Sequence, residues 1–230
     1  MKRLILLACT VFLPAICFGA WQDDYGTLLK KYVTPSGVRY AEWKANAGDI
    51  AAMQRVVDAI GVEKSTDLAF YINAYNAWIL HEALAKYPTK SVKDTLFTFF
   101  LANRIRVGGE KMSFNHLEKD IIRAKFKEPR VHFALNCASR SCPPLRPEPF
   151  RAETLDAQLD SLAKGFVNSD RGVRVNGKTV HLSKIFDWYK EDFGGATGEI
   201  SFINKHRKQP IPADAQIQYD DYDWALNEAK

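Results

Sequence analysis

The stretch Leu68–Lys86 is apolar nearly all the way round when set at helical spacing, with Leu68, Phe70, Ile72, Tyr75, Trp78, Ile79 and Leu80 spread over every face. A helix without a polar face has to be enclosed by other elements, so the chain is expected to fold around it. Ser65, Thr66 and Asp67 offer N-cap oxygens at its start, and Pro88 stops it. Asn73 and Asn76 lie inside this apolar run. Buried amides need partners. They tie the helix to neighbouring backbone, or they serve a site by orienting an imidazole or donating to an oxyanion.

The flanking patterns show which elements enclose the helix. Residues 21–32 and 50–60 have amphipathic helical spacing, the second with Met53, Val56, Val57 and Ile60 on one stripe. Ser113 can cap a helix over 114–126, residues 154–166 repeat Leu155, Leu159, Leu162 and Phe166, and Ser183 can cap a helix over 185–193. Gly108-Gly109 and Asn176-Gly177 sit between short extended segments and predict two hairpins. Residues 131–136 alternate as a strand. A helix-rich N-terminal part packed on a small, mainly antiparallel sheet with two hairpins is an α+β arrangement in a single domain.

The first nineteen residues have a basic start at Lys2 and Arg3, an apolar run broken only by Thr10 and Pro14, and a small-residue end. That order predicts a cleaved signal peptide over 1–19, a single globular domain over 20–230, and a periplasmic or secreted protein. The run is too short for a spanning helix, and no later segment predicts a stable membrane span. Leu6-Leu7-Ala8-Cys9 resembles a lipobox but leaves too short an apolar region for a lipoprotein leader. The net charge of +5 falls to +3 without Lys2 and Arg3, which is no footprint for nucleic acid. Cys9 and Cys17 leave with the leader, so only Cys137 and Cys142 remain, in a compartment where disulfides persist.

As a strand, 131–136 would put Val131, Phe133 and Leu135 on a core face and His132, Ala134 and Asn136 on the other. It leads into a loop with Cys137, Arg140, Ser141 and Cys142. A thiol becomes a nucleophile when a base or a positive neighbour favours its thiolate. Cys142 can fold back towards His132, while Cys137 points away from it on an ideal strand; Arg140 can lower a nearby thiol pKa. The competing reading is a Cys137–Cys142 disulfide closing a small loop. Glu118 can orient His132 in the manner of a triad, or pair on the surface with Arg123. The cysteine spacing is not that of a metal site, no His pair stands at i, i+4, and no cofactor is implied. His116, His181 and His206 belong to no constellation.

Several separated segments together resemble the family known as domain of unknown function 547. They are residues 70–77, Leu117-Glu118 with Ile122-Arg123, residues 130–139, Ser141-Cys142-Pro143, and Tyr222-Asp223-Trp224-Ala225-Leu226-Asn227. The resemblance runs from about residue 67 to 227 and maps the family's motif positions onto Asn73, Asn76, Glu118, Arg123, His132, Cys137, Ser141, Cys142 and Pro143. Many relatives carry a His directly after the Glu, where this chain has Lys119. The resemblance implies a shared site around the cysteine loop and supplies no reaction. The residues therefore leave three readings. The first is a thiol-dependent hydrolase or transferase acting on an amide or thioester of a peptide or small molecule, with Cys142 as nucleophile, His132 as base, and Glu118, Asn73 or Asn76 in support. The second is a binding or scaffold module with a disulfide, and the third is thiol–disulfide exchange.

Overall fold

The computed structural model of the chain describes residues 20–94, 100–212 and 214–230. The leader expected over 1–19 lies outside the described residues. Three helices lead up to the central one: α1 (Ala20–Tyr32), α2 (Tyr40–Ala45) and α3 (Ala47–Val62). The central helix, α4, forms as its sequence predicts. It spans Leu68–Lys86, and the Asp67 side chain accepts a hydrogen bond from Ala69 N at its start. Fourteen of its residues are buried, on every side. Trp21, Tyr25, Leu28, Leu29 and Tyr32 form the buried stripe of α1, which packs on α3, and α3 in turn packs on α4. The ring of Tyr32 stacks on Trp43 of α2 at 4.6 Å.

The α+β reading and both predicted hairpins hold, with the strands distributed over three small sheets. One is the turn 33–38 (β1 Val33–Thr34, β2 Gly37–Val38). The Gly108-Gly109 hairpin (β3 Ile105–Val107, β4 Glu110–Met112) is a separate sheet against α3. The Asn-Gly hairpin (β5 Val173–Asn176, β6 Thr179–Leu182) takes β7 (Gln216–Tyr219) alongside β6 in parallel. After β4, Ser113 caps a helix over 114–126, α5, whose middle seven residues Leu117–Arg123 are wound as a π-helix. Further on come α6 (Leu155–Val167), α7 (Lys184–Trp188), a 3₁₀ turn over Lys190–Phe193, and α8 (Gly195–His206). Among the described residues no helix is long and apolar enough to cross a membrane.

The strand expected over 131–136 is corrected. Pro129–Phe133 is a 3₁₀ helix. Pro129 suits a helical first turn, the Glu128 carboxylate accepts from Arg130 N, and the Val131 carbonyl accepts from both Ala134 N and Leu135 N. The apolar alternation has another cause. The buried side chains form two clusters, one around α4 and one between α6, α8 and the β5–β7 sheet. Val131 belongs to the first and Phe133 to the second, so the segment bridges two cores instead of covering one face of a sheet.

Candidate functional site

The cysteine loop is held from beneath by α4. Asn76 donates from Nδ2 to Ala134 O and accepts from Asn136 N, while Asn73 makes the same reciprocal pair with Phe150, 2.8 and 2.9 Å in each case. Both amides are therefore spent on backbone, one on each side of the loop. Asn136 closes the loop itself: its Oδ1 accepts from Ala138 N and from the Asn227 amide, and its Nδ2 donates to Pro143 O at 2.7 Å. Ala138 between them has φ of 61°, a left-handed conformation that costs a non-glycine residue about 1 kcal/mol.

The far side of the loop is laced to the C-terminal strap 222–229. Arg140 N donates to Ala225 O, Ser141 N to Asp223 O, Asn227 N to Ala138 O, and Asp223 N to Ser141 Oγ. Arg140 and Ser141 thus contribute to the strap rather than to the sulfurs. The strap brings the Tyr222 hydroxyl to 3.3 Å from Cys137 Sγ and 3.0 Å from Ser139 Oγ, which itself lies 3.0 Å from Cys137 Sγ.

Cys137 and Cys142 are free thiols with sulfurs 2.8 Å apart. Their surroundings differ. Cys137 is half-buried, and the Cys142 thiol, together with the Ser139 and Tyr222 hydroxyls, outweighs burial and lowers its pKa to about 7. Cys142 is 5 % exposed; its sulfur accepts from Cys137 N at 2.9 Å, and burial, reinforced by Cys137, pushes its pKa well up. The thiolate-favouring position is that of Cys137, where local spacing pointed to Cys142.

The expected pairing of Cys142 with His132 is not made. In the 3₁₀ helix Pro129–Phe133 the imidazole is buried, stacked on Tyr189 at 3.8 Å, with Nε2 2.7 Å from Asp192 Oδ2. A carboxylate only accepts here, so Nε2 carries the proton. Arg123 grips the same carboxylate with two bonds of 2.6 and 2.9 Å. The His132 bond first, and then Arg123, hold Asp192 well below the usual carboxylate range. Glu118 meets neither His132 nor Arg123; it accepts from Tyr189 OH at 2.7 Å and Tyr75 OH at 3.3 Å.

These groups share a cavity of about 270 Å³. Cys137, Cys142 and Pro143 line it, as do Glu118 and Lys119 from α5, His132, and the rings of Trp188, Tyr189, Tyr222 and Trp224. A π-helical segment beside a cavity is a common device for aiming side chains at a site, and here it presents Glu118 and Lys119 in succession. The site thus brings together Cys137, Cys142, His132 and Glu118; Asn73, Asn76, Asn136 and Ser141 hold its backbone, and Arg123 holds Asp192. Asp192, Tyr189, Tyr222 and Ser139 are neighbours of the candidate site to which the sequence reading gives no role. Tyr222 stands in a recognisable C-terminal motif, whereas nothing in sequence links Asp192 to a histidine sixty residues earlier. Among the described residues no group of three or more His, Cys, Asp or Glu is arranged to hold a metal ion.

Residues 60–167 match the family model described as protein of unknown function, DUF547, and over this stretch the chain is a member of that family. The match contains α4, α5, the 3₁₀ helix Pro129–Phe133 and the whole cysteine loop; Asp192 and the strap lie beyond it. No curated protein and no solved structure matches the chain.

Proposed function

We propose that this DUF547 protein is exported and performs thiol–disulfide exchange, with Cys137 as the attacking sulfur and Cys142 as its resolving partner. One observation carries the reading. A half-buried thiol held near neutrality touches a buried thiol held high, and neither sulfur has an imidazole among its hydrogen-bond partners. Reactive cysteines occupy partly exposed positions that favour the thiolate. The leader read over 1–19 supports a compartment in which such exchange has substrates.

In the reaction, the Cys137 thiolate attacks a substrate disulfide. A Cys137–sulfur bond forms, the substrate S–S bond breaks, and one substrate thiolate leaves. Cys142 passes its proton to that leaving thiolate and attacks Cys137 sulfur, which releases the second substrate thiolate to take a proton from water. The protein dithiol becomes a disulfide and the substrate becomes two thiols. Tyr222 and Ser139 hold the Cys137 charge during attack, and the Asn136 and Asn76 bonds keep the loop at the geometry both sulfurs need.

The test uses the reduced protein with glutathione disulfide. Cys142→Ser should accumulate a mixed disulfide on Cys137, and Cys137→Ser should accumulate none. Trapping through Cys142 in Cys137→Ser would overturn the assignment. A native protein whose cysteines form a bond that glutathione cannot reduce would favour the scaffold reading. A second chemistry is acyl transfer, in which the Cys137 thiolate attacks an amide or thioester carbonyl, the carbonyl C–N or C–S bond breaks, and the amine or thiol leaves with a proton; it draws on His132, which lines the same cavity and bonds to Asp192. It predicts a covalent acyl adduct on Cys137 that forms equally well in Cys142→Ser.

A further inference from the structure

Among the described residues, α5 brings two charges to the cavity, Glu118 and Lys119, and its neighbouring Asp120 and Arg123 lie outside the lining. Glu118 accepts from two tyrosines, Asp120 pairs with His116, and Arg123 pairs with Asp192. Lys119 stands exposed among them and lines the cavity, and its ammonium has no hydrogen-bond or ion-pair partner among the described residues. Part of the lining is aromatic. Trp188 is 45 % exposed, and its ring lies 4.7 Å from that of Tyr222 and 5.6 Å from that of Trp224.

A cavity of about 270 Å³ is small beside the roughly 300–1,000 Å³ of most ligand pockets, which limits the occupant to a compact molecule. Its rings favour a flat apolar body. Its fixed carboxylate, Glu118, already has two phenol donors, so the charge left for a ligand is the Lys119 ammonium. That ammonium also offsets the repulsion an anionic substrate meets from a Cys137 thiolate.

We infer that the cavity takes a small aromatic disulfide bearing a carboxylate, the carboxylate pairing with Lys119 Nζ, the ring resting on the Trp188–Trp224 wall, and the disulfide reaching Cys137 Sγ. This rests on the reading of Cys137 as the attacking thiol, and the bonds made and broken are those of the exchange above. Lys119 is a specificity-determining residue in this scheme.

The test is the rate of attack by the reduced protein on three disulfides at fixed ionic strength: anionic dithiobis-nitrobenzoate, neutral dithiodipyridine and cationic cystamine. In Lys119→Ala the ratio of the anionic to the neutral rate should fall about two- to fivefold, the upper part of the range for one exposed ion pair. In Lys119→Glu it should fall further while the cystamine rate rises. A ratio that stays constant, with all three probes unchanged or all slowed alike, would overturn the inference and leave Cys137 as the attacking thiol. A reduced wild-type protein that reacts with none of the probes would overturn the thiol reading itself, and the inference with it.

Discussion

Replacing Tyr222 by Phe removes one hydroxyl from Cys137 sulfur and keeps the ring against Trp188 and Trp224. A hydrogen bond to a charged partner contributes about 1.5–3 kcal/mol. The Tyr222 contact, 3.3 Å from oxygen to sulfur, is of ordinary length for such a bond; sulfur is a weak acceptor, which places it at the low end, and about 1.4 kcal/mol corresponds to a tenfold change in the thiolate equilibrium. The hydroxyl favours the thiolate, so its loss raises the Cys137 pKa from about 7. Below that midpoint the variant carries about tenfold less thiolate. The remaining thiolate is about threefold more nucleophilic, because reactivity rises with basicity with a slope of about 0.4–0.5. The two effects oppose each other. The initial rate of thiopyridone release from dithiodipyridine should be about three- to fourfold slower than wild type at about pH 6 and about threefold faster at about pH 9. Crossing of the two pH–rate curves is the signature. Superimposed curves would refute the role of the phenol, and a wild-type midpoint at the ordinary thiol value would refute the electrostatics of the whole site.

Two further substitutions test the support around the thiols. Asp192 has its folded pKa depressed by the His132 bond and then by Arg123, so its stabilisation is present above the unfolded carboxylate value and is lost as pH falls through the folded one. Asp192→Asn should therefore cost about 2 kcal/mol in urea denaturation at neutral pH, with the gap to wild type narrowing below about pH 4; an equal gap at both would refute the charge pairing. Asn76→Ala leaves Ala134 O and Asn136 N, both buried, without their partners. It should cost about 2–4 kcal/mol in the same assay, and a loss under about 1 kcal/mol would mean that the amide is not what holds the loop.

Much of the frame is legible in the chain because it rests on local chemistry. Asp67 caps α4 and Pro88 bars its continuation, Ser113 and Ser183 cap the helices that begin after them, and the Gly-Gly and Asn-Gly pairs turn the two hairpins. Each device acts within a few residues, so a short window contains it whole. The failure at 131–136 is of the opposite kind. Alternating apolar residues satisfy a pleated strand facing one core and a 3₁₀ turn lying between two, and the pattern does not say how many cores are present.

The cysteine pair shows the same division. Sequence alone determined that these are the two thiols left beyond a leader-like start, that they stand in one loop after His132, and that the loop belongs to a recognisable family. Which sulfur sits where the thiolate is favoured was decided only by tertiary structure. Spacing favoured Cys142 by folding it back towards an imidazole. The fold instead buries Cys142, gives His132 to Asp192, and brings Tyr222 from 85 residues away to Cys137. Thiol acidity is set by burial and by the donors that reach the sulfur. Cys142 and Ser139 stand close to Cys137 in sequence, but which sulfur is buried and which one Tyr222 reaches are properties of the packed chain.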